Sequence, residues 1–132
     1  MRGRELAMTT LRDVCDSIMR VSDDLIVAMG DFNDTPDGAQ FNLLEGRLTN
    51  LAEPLFKRGE GSLRFDGRWE LIDHFLVEND EGLRPFEMSV VQVPFLMTED
   101  RTHTGFKPMR TYVGPRYAGG VSDHCPILLR LY

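Results

Sequence analysis

The sequence predicts a single α+β domain over residues 1–132, with one mainly antiparallel sheet and flanking helices. Three observations support this class. Apolar residues recur at helical spacing between residues 4 and 20. The run at residues 25–29 is continuously apolar, which is typical of a strand buried on both faces. Further along, Asp66-Gly67 is a hairpin-turn dipeptide between strand-like segments, and residues 125–131 form the last predicted strand.

The remaining elements are predicted from their boundary residues. Thr35 suits the N-cap of a second helix and Pro36 its first position, so this helix is expected to run to about Glu45. The other expected elements are a strand over residues 69–77, a strand over 83–93, a short helix over 95–100 and a long ordered loop over 102–120. Long loops in compact domains are often functional.

Composition restricts the class of protein. The 132 residues are 42% hydrophobic and 27% charged, which is ordinary for one globular domain. No run of about 18 apolar residues exists, so no membrane span is expected. The start of the chain lacks the apolar region of a signal peptide, and whether a longer parent protein would be cytoplasmic or exported stays open.

The charge of the chain is negative overall but uneven. A net charge of −6 argues against a protein that coats nucleic acid through charge alone. Residues 101–116, however, contain no acid and five basic or imidazole side chains: Arg101, His103, Lys107, Arg110 and Arg116. This stretch either faces an anionic substrate or is a solvated loop.

The segment Gly30-Asp31-Phe32-Asn33 follows the apolar strand directly. If the backbone stays extended, Asp31 and Asn33 point to the same side. A carboxylate beside a carboxamide can hold a nucleophilic water and donate a hydrogen bond to a phosphoryl oxygen. The alternative is a strand-end turn in which both side chains bond the local backbone.

A second acidic segment, Ser122-Asp123-His124, precedes the last strand. Asp123 offers oxygen ligands to a hard cation, and His124 can act as a general acid or donate to a phosphoryl oxygen. Such a histidine needs a group that fixes its tautomer. Asp73 is the candidate, because a carboxylate within the apolar segment at residues 71–77 is unfavourable unless paired. The alternatives are a salt bridge or turn for Asp73 and a surface position for His124.

Two other histidines are assigned different roles. His74 lies on the opposite strand face from Asp73 and is interpreted as structural, whereas His103 is interpreted as solvated, with substrate contact as its alternative. The sequence contains no Walker loop, dinucleotide fingerprint, HExxH, GxSxG or zinc spacing. A metal-assisted phosphoester site is therefore the chemistry that several segments support together.

These segments resemble the motifs of the endonuclease/exonuclease/phosphatase superfamily of metal-dependent phosphoesterases. Residues 30–33, 72–74 and 122–124 occur in the family's order, and the pattern from Arg110-Thr111-Tyr112 to Ser122-Asp123-His124 is similar to that of Bacteroidetes members. The resemblance implies a DNase I-like αββα sandwich and hydrolysis of phosphate esters with Mg²⁺ or Mn²⁺. Nuclease, phosphodiesterase and phosphatase members share the motifs.

The resemblance also implies residue roles. Asp31 would orient or deprotonate the attacking water, Asn33 would bind the scissile phosphate, and Asp73 would pair with His124. His124 would stabilise the transition state, which is usually the largest catalytic contribution. Asp123 would lie at or near the metal. Arg110 and Tyr112 are the expected substrate-binding residues, and the substrate could be nucleic acid, a phosphorylated small molecule or a lipid.

The resemblance covers about the C-terminal half of the family domain, so the chain is expected to be a single partial domain. The Asn and the metal-binding Glu of the family's first half have no counterpart before Asp31. One sheet of a sandwich buries its inner face on the other, so a homodimer that covers the exposed face is one expectation and a fragment of a longer protein another. Weak or absent hydrolysis by this chain, or a catalytically inactive binding or assembly module, are both consistent with the sequence.

Overall fold

The computed structural model describes residues 2–78 and 85–132. Within these residues the helices are α1 (Arg2–Val21) and α2 (Glu53–Lys57), with 3-10 helices at Ala39–Leu44 and Pro94–Leu96. The strands are β1 (Val27–Asp31), β2 (Leu48–Asn50), β3 (Leu63–Phe65), β4 (Arg68–Glu70), β5 (Asp73–Glu78), β6 (Phe86–Val90), β7 (Met97–Glu99), β8 (Phe106–Pro108), β9 (Tyr112–Val113), β10 (Arg116–Tyr117) and β11 (Ile127–Leu131). None of the helices described is long and apolar enough to cross a membrane.

The predicted first helix is confirmed as α1, but it buries a narrower face than its apolar pattern indicates. Met8 and Cys15, two turns apart, are buried against Leu44, Leu48 and Leu76. Two other apolar residues of this helix, Val14 and Ile18, are exposed. The helix therefore packs through one narrow row of side chains.

Strand β5 is the centre of the fold. It lies between β1 and β2 in an antiparallel three-stranded sheet. Because neighbouring strand residues point to opposite faces, Leu76 enters the cluster beneath α1 while Phe75 enters a second cluster with Leu71 and Met88. The same alternation separates Asp73 from His74 at the start of the strand.

The second cluster connects the three-stranded sheet to another pair of strands. β6 and β11 pair with each other, and Val90, Ile127 and Leu129 pack around Phe75 and Met88. The α+β class and the antiparallel pairing are thus confirmed. In place of the one sheet predicted, the described strands form one three-stranded and four two-stranded sheets, because the short hairpins β3–β4, β7–β8 and β9–β10 each pair only with themselves.

Two predicted boundaries are wrong, and both bear on the site. The apolar strand is shifted to Val27–Asp31 and is not buried on both faces, because Met29 is 66% exposed. The helix expected from Thr35 begins only at Ala39 and is a 3-10 helix. The N–H of Gly38 donates to the carbonyl of Thr35 at 2.9 Å, so a closed turn occupies the predicted first helical turn.

The segments expected beyond residue 80 are more divided than predicted. The strand expected over residues 83–93 is β6, and its first two positions lie outside the described residues. The short helix expected over 95–100 is the 3-10 turn Pro94–Leu96 followed by β7. The predicted long loop contains β8, β9 and β10, so it is an ordered pair of hairpins.

Candidate active site

The ends of β1 and β5 bring two carboxylates together. Asp31, the last residue of β1, lies directly opposite Asp73, the first residue of β5, in the antiparallel register. Like charges directly opposite each other destabilise a strand pair, so this arrangement calls for a compensating positive group. His124 supplies one: ligand atoms of Asp31, Asp73 and His124 all lie within 4.8 Å of one another.

The backbone before and after Asp31 is unusual. Gly30 pairs with His74 and has a φ of 143°, a conformation that side-chain-bearing residues rarely adopt. Asn33 has a φ of 52°, and its N–H donates to Asp31 Oδ1 at 2.8 Å. The extended backbone expected between Asp31 and Asn33 is therefore wrong, and the alternative local turn is present.

The turn nevertheless leaves polar groups accessible. Asp31 and Asn33 are exposed, and the Asn33 carboxamide makes no hydrogen bond to the residues described. A carboxylate and a free carboxamide thus lie two residues apart at the mouth of the site.

Asp73 and His124 form the closest polar pair of the site. His124 Nδ1 lies 2.7 Å from Asp73 Oδ2, and the side chains are 25% and 14% exposed. Because an ionised carboxylate can only accept, Nδ1 carries the proton and Nε2 is left for another partner. Asp73 therefore fixes the tautomer of His124, as the sequence predicted.

The charge on His124 is also supported by its surroundings. Burial disfavours the imidazolium, but the hydrogen bond to Asp73 and the charges of Asp73, Asp123 and Asp31 outweigh it, so the pKa of His124 lies above its ordinary value. A protonated imidazole is thus favoured beside the carboxylates, where it can donate to an anionic oxygen.

Ser62, which the sequence did not single out, contacts Asp73 at the candidate site. Ser62 is fully buried, and its hydroxyl donates to Asp73 Oδ2 at 2.6 Å. Ser62 Oγ also accepts the backbone N–H of Asp73 at 3.3 Å. The Ser62 carbonyl accepts the N–H of Cys125 at 2.7 Å, and Leu63 bridges His124. Ser62 therefore connects both members of the pair through β3. No local signal identifies it, because serine is common in loops and its partners lie at least ten residues away.

The neighbouring thiol is not a nucleophile. Burial, with a smaller contribution from Asp73, raises the pKa of Cys125 to about 11. At neutral pH the thiol is protonated, whereas thiol nucleophiles react as thiolates. The chemistry of this site therefore depends on its carboxylates, carboxamide and imidazole.

The donor set fits a hard divalent cation. Asp31 is exposed with one oxygen free of the local turn, and Asp123 is half exposed with Oδ1 3.9 Å from His124 Nε2. Both hydrogen bonds to the Asp73 carboxylate fall on Oδ2, so Oδ1 is also open. Carboxylate oxygens are the ligands such a cation prefers. Asp123, the predicted metal ligand, is outside the closest cluster but adjoins it through the imidazole.

The predicted substrate-binding residues lie beside this cluster. Arg110 and Tyr112 line a depression of about 350 Å³ together with Ser122 and Asp123. Tyr112 is exposed and forms an edge-to-face contact with Tyr117 at 5.8 Å between ring centres. Arg110 and Tyr112 are ten or more positions from Ser122 and Asp123 in the sequence. The fold brings all four residues to one depression beside the site.

His74 occupies a different environment. It is fully buried, stacks on Phe32 with ring centres 5.5 Å apart, and its Nε2 donates to the carbonyl of Leu71 at 2.8 Å. Nδ1 lies 3.2 Å from Asn50 Nδ2 and accepts from it. Burial lowers the pKa of His74 despite opposing contributions from Leu71 and the nearby carboxylates. These contacts agree with the structural role predicted for it.

His103 lies away from the cluster. It is exposed, and its backbone N–H donates to Asp100 Oδ1 at 3.1 Å. Its Nδ1 lies 3.6 Å from the same oxygen. The contacts of His103 thus belong to the turn between β7 and β8.

Comparisons with known proteins address the ancestry of this arrangement. Residues 2–132 match the sequence model of the endonuclease/exonuclease/phosphatase family. Among curated proteins, none matches significantly. The fold is similar to the crystal structure of an endonuclease/exonuclease/phosphatase family protein from Bacteroides thetaiotaomicron, with 17% identity, a TM-score of 0.60, and coverage of 96% of this chain and 44% of that chain.

A second solved structure, a humanised D. rerio TDP2, has 18% identity, a TM-score of 0.50, and coverage of 96% of this chain and 49% of that chain. At these identities the structures show a shared fold, and this chain spans less than half the length of each. The family match extends over nearly all of the chain and includes the three segments that form the site. The chain belongs to the endonuclease/exonuclease/phosphatase family.

Proposed function

We propose that this chain carries a divalent-metal-dependent phosphoester hydrolase site of the phosphodiesterase, nuclease or phosphatase type, with weak turnover as an isolated chain. The observation that carries the proposal is the Asp73–His124 pair at 2.7 Å, with the Asp31 carboxylate in the same cluster. Family membership supports the reaction class. The relatives' greater length supports the expectation of weak turnover.

Each side chain of the cluster has a role in the proposed reaction. Asp31 orients and deprotonates the attacking water, because its carboxylate is exposed and one oxygen is free. Asn33 donates from its free carboxamide to the scissile phosphate. His124 donates from Nε2 to a phosphoryl oxygen as negative charge develops, and Asp73 holds the ring in place.

Asp123 is the proposed ligand of the cation, Mg²⁺ or Mn²⁺, beside the cluster of Asp31, Asp73 and His124. When bound, such an ion supplies Lewis-acid stabilisation of negative charge on the phosphate. Arg110 and Tyr112 are the proposed substrate-binding residues, since both line the depression that contains Asp123. The substrate is a phosphate ester, drawn from nucleic acid, phosphorylated small molecules or lipids.

A second copy of the chain is the proposed partner. Met29 on edge strand β1 and Leu131 on β11 are 66% and 61% exposed, and such apolar surface favours association. We expect a homodimer that covers these residues, to be checked by sedimentation velocity at micromolar concentration. A well-behaved monomer would contradict this assembly.

The hydrolysis proposal is tested with bis(p-nitrophenyl) phosphate and excess Mg²⁺ or Mn²⁺. Turnover should disappear on chelation and in Asp31→Ala, and persist in Asp24→Ala, which removes an exposed carboxylate between α1 and β1. Identical background rates in the wild type and Asp31→Ala would overturn the proposal and support a catalytically inactive binding or assembly module.

A further inference from the structure

A second, basic depression adjoins the site. It has a volume of about 430 Å³ and is lined by parts of β7, β8 and the residues that follow them. Three of its side chains, Arg101, Lys107 and Arg110, are cationic, and one, Glu99, is a carboxylate. Across residues 2–78 and 85–132, none of these cations lies within ion-pair distance of an acid. The depression therefore has more cationic than anionic side chains, although Glu99 lies in its lining and Lys107 interacts electrostatically with Asp100.

The turn that carries Arg101 is held rigidly. Asp100 is almost fully buried, and its Oδ1 accepts the backbone N–H groups of Thr102 at 3.2 Å and His103 at 3.1 Å. Arg64 Nη1 lies 3.3 Å from Asp100 Oδ2 and donates to the carbonyl of Thr104 at 2.6 Å. These hydrogen bonds hold the backbone of the turn that contains Arg101 in one conformation. Preorganised cations lose less conformational entropy when they bind an anion.

Strand pairing positions Lys107 within the same depression. It lies opposite Thr98 in the β7–β8 hairpin, and Thr98 and Thr102 add hydroxyl groups to the lining. Lys107 is partly buried, whereas Arg101 is exposed. An ammonium and a guanidinium thus converge with two hydroxyl donors, a combination suited to phosphate oxygens.

Arg110 belongs to both depressions. It lines the basic one and also the smaller one that contains Asp123. The backbone carbonyl of Arg110 accepts the N–H of Gly120 at 3.0 Å, so the segment around Gly120 packs directly against Arg110. A Cβ at Gly120 would lie 1.9 Å from the carbonyl oxygen of Met109, so only glycine allows this approach. The close packing makes the two depressions neighbours with a common arginine.

We propose that the basic depression binds a second phosphate group of the same substrate. The substrate class is then a phosphate ester that carries at least two phosphates. Arg110 lies between the reacting phosphate and the one held by Arg101 and Lys107. This assignment rests on the proposed hydrolytic function for the identity of the first phosphate, but the binding of the second is measurable without turnover.

The test is equilibrium binding in the presence of EDTA, which removes the catalytic cation from the comparison. Inorganic phosphate and inorganic tripolyphosphate are titrated into the wild type by calorimetry. We expect tripolyphosphate to bind at least about 10-fold more tightly, because several of its phosphates can contact Arg101, Lys107 and Arg110 at once. Lys107→Gln and Arg101→Gln should each weaken tripolyphosphate several-fold and should also weaken phosphate, because a single phosphate binds in the same basic depression when the cation is removed.

Arg20→Gln is the matched control, since it removes an exposed cation from α1. It should bind like the wild type, and circular dichroism should show all variants folded. Equal affinity for the two anions, or tripolyphosphate binding that is unchanged in both Lys107→Gln and Arg101→Gln, would overturn the proposal. Loss of hydrolysis would leave this readout intact, so failure of the proposed function is distinguishable from failure of the subsite.

A single-stranded thymidine tetranucleotide distinguishes the source of the second phosphate. If it is a nucleic-acid backbone, the negative slope of log affinity against log salt should become shallower by about 0.7 in Lys107→Gln. Dependence on Lys107 for tripolyphosphate alone would support the subsite and assign it to a compact, multiply phosphorylated molecule. Independence of Lys107 and Arg101 for both probes would overturn it.

Discussion

Two neighbouring residues of β5, Asp73 and His74, lie in opposite environments. Asp73 faces His124 and Ser62 at the open end of the sheet, with Asp31 opposite. His74, the next residue, is fully buried among aromatic rings on the other face. One strand thus separates a polar, accessible cluster from a closed core.

The contrast between His124 and His74 follows from their partners. His124 has a carboxylate partner and a raised pKa, whereas His74 has neutral partners and a pKa lowered by burial. The first environment favours a charged ring that can donate to an anion. The second favours a neutral ring that satisfies Leu71 and Asn50. The pKa of each histidine therefore depends on whether it lies at the Asp73 face of β5 or at the buried face opposite.

The largest expected effect is on the polar face. His124→Gln should lower the metal-dependent hydrolysis rate by about 10²–10⁴-fold, because it removes the protonated donor. Stopped-time assays with bis(p-nitrophenyl) phosphate measure it, and urea unfolding should show a stability change within about 1 kcal/mol. A rate close to that of the wild type would mean that His124 is not the proton donor of the reaction.

On the buried face of β5, a substitution should lower stability and leave the hydrolysis rate almost unchanged. His74→Ala should lower the free energy of unfolding by about 3 kcal/mol, because it leaves a cavity and unpairs Leu71 and Asn50. Urea denaturation followed by circular dichroism measures this change. Hydrolysis per folded molecule should stay within a few-fold of the wild type, and a specific loss would mean that this face contributes to catalysis.

Ser62→Ala should produce a smaller, mixed effect. We expect about a 10-fold lower rate, since Asp73 loses the donor that positions it, and a stability loss of about 1–2 kcal/mol. Ser17→Ala on α1, whose hydroxyl bonds only its own helix within the described residues, is the control. If Ser62→Ala loses stability without any change in rate, Ser62 supports the fold alone.

The smallest effect is the pH dependence of stability. Because the pKa of His74 is lowered on folding, its contribution is lost as the pH falls through the ordinary histidine range. The raised pKa of His124 acts in the other direction: its contribution is present below that range and lost as the pH rises through the folded value. Removing His124 should therefore steepen the loss of stability on acidification from pH 8 to 5. Urea unfolding in EDTA at each pH tests this, and parallel curves for wild type and His124→Gln would contradict it.

The sequence predicted the residues of the central cluster better than the elements around them. Asp31, Asp73 and His124 were predicted because each lies in a short motif where a carboxylate or imidazole is hard to explain otherwise, and the structure places them in one cluster. Ser62 and Arg64 were missed because their roles depend on partners that only tertiary folding brings near.

Other local signals in the sequence did not predict how a segment is placed in the folded chain. The apolar run containing Met29 indicated a strand buried on both faces, but the run carries no information on which other elements pack against each face. The helix signal at Thr35 and Pro36 was overridden by the turn that Gly38 closes. The basic residues of 101–116 could be interpreted in two ways from the sequence, and only the folded hairpins show that Arg101, Lys107 and Arg110 lie around one depression.

The most direct test of the account compares the two histidines in one assay. Initial rates of Mg²⁺-dependent bis(p-nitrophenyl) phosphate hydrolysis, divided by the folded fraction, are measured for the wild type, His124→Gln and His74→Gln. We expect a loss of at least about 100-fold for His124→Gln and a rate close to the wild type for His74→Gln. Equal rates in all three proteins, or a loss confined to His74→Gln, would contradict the assignment of chemistry to the Asp73 face of β5.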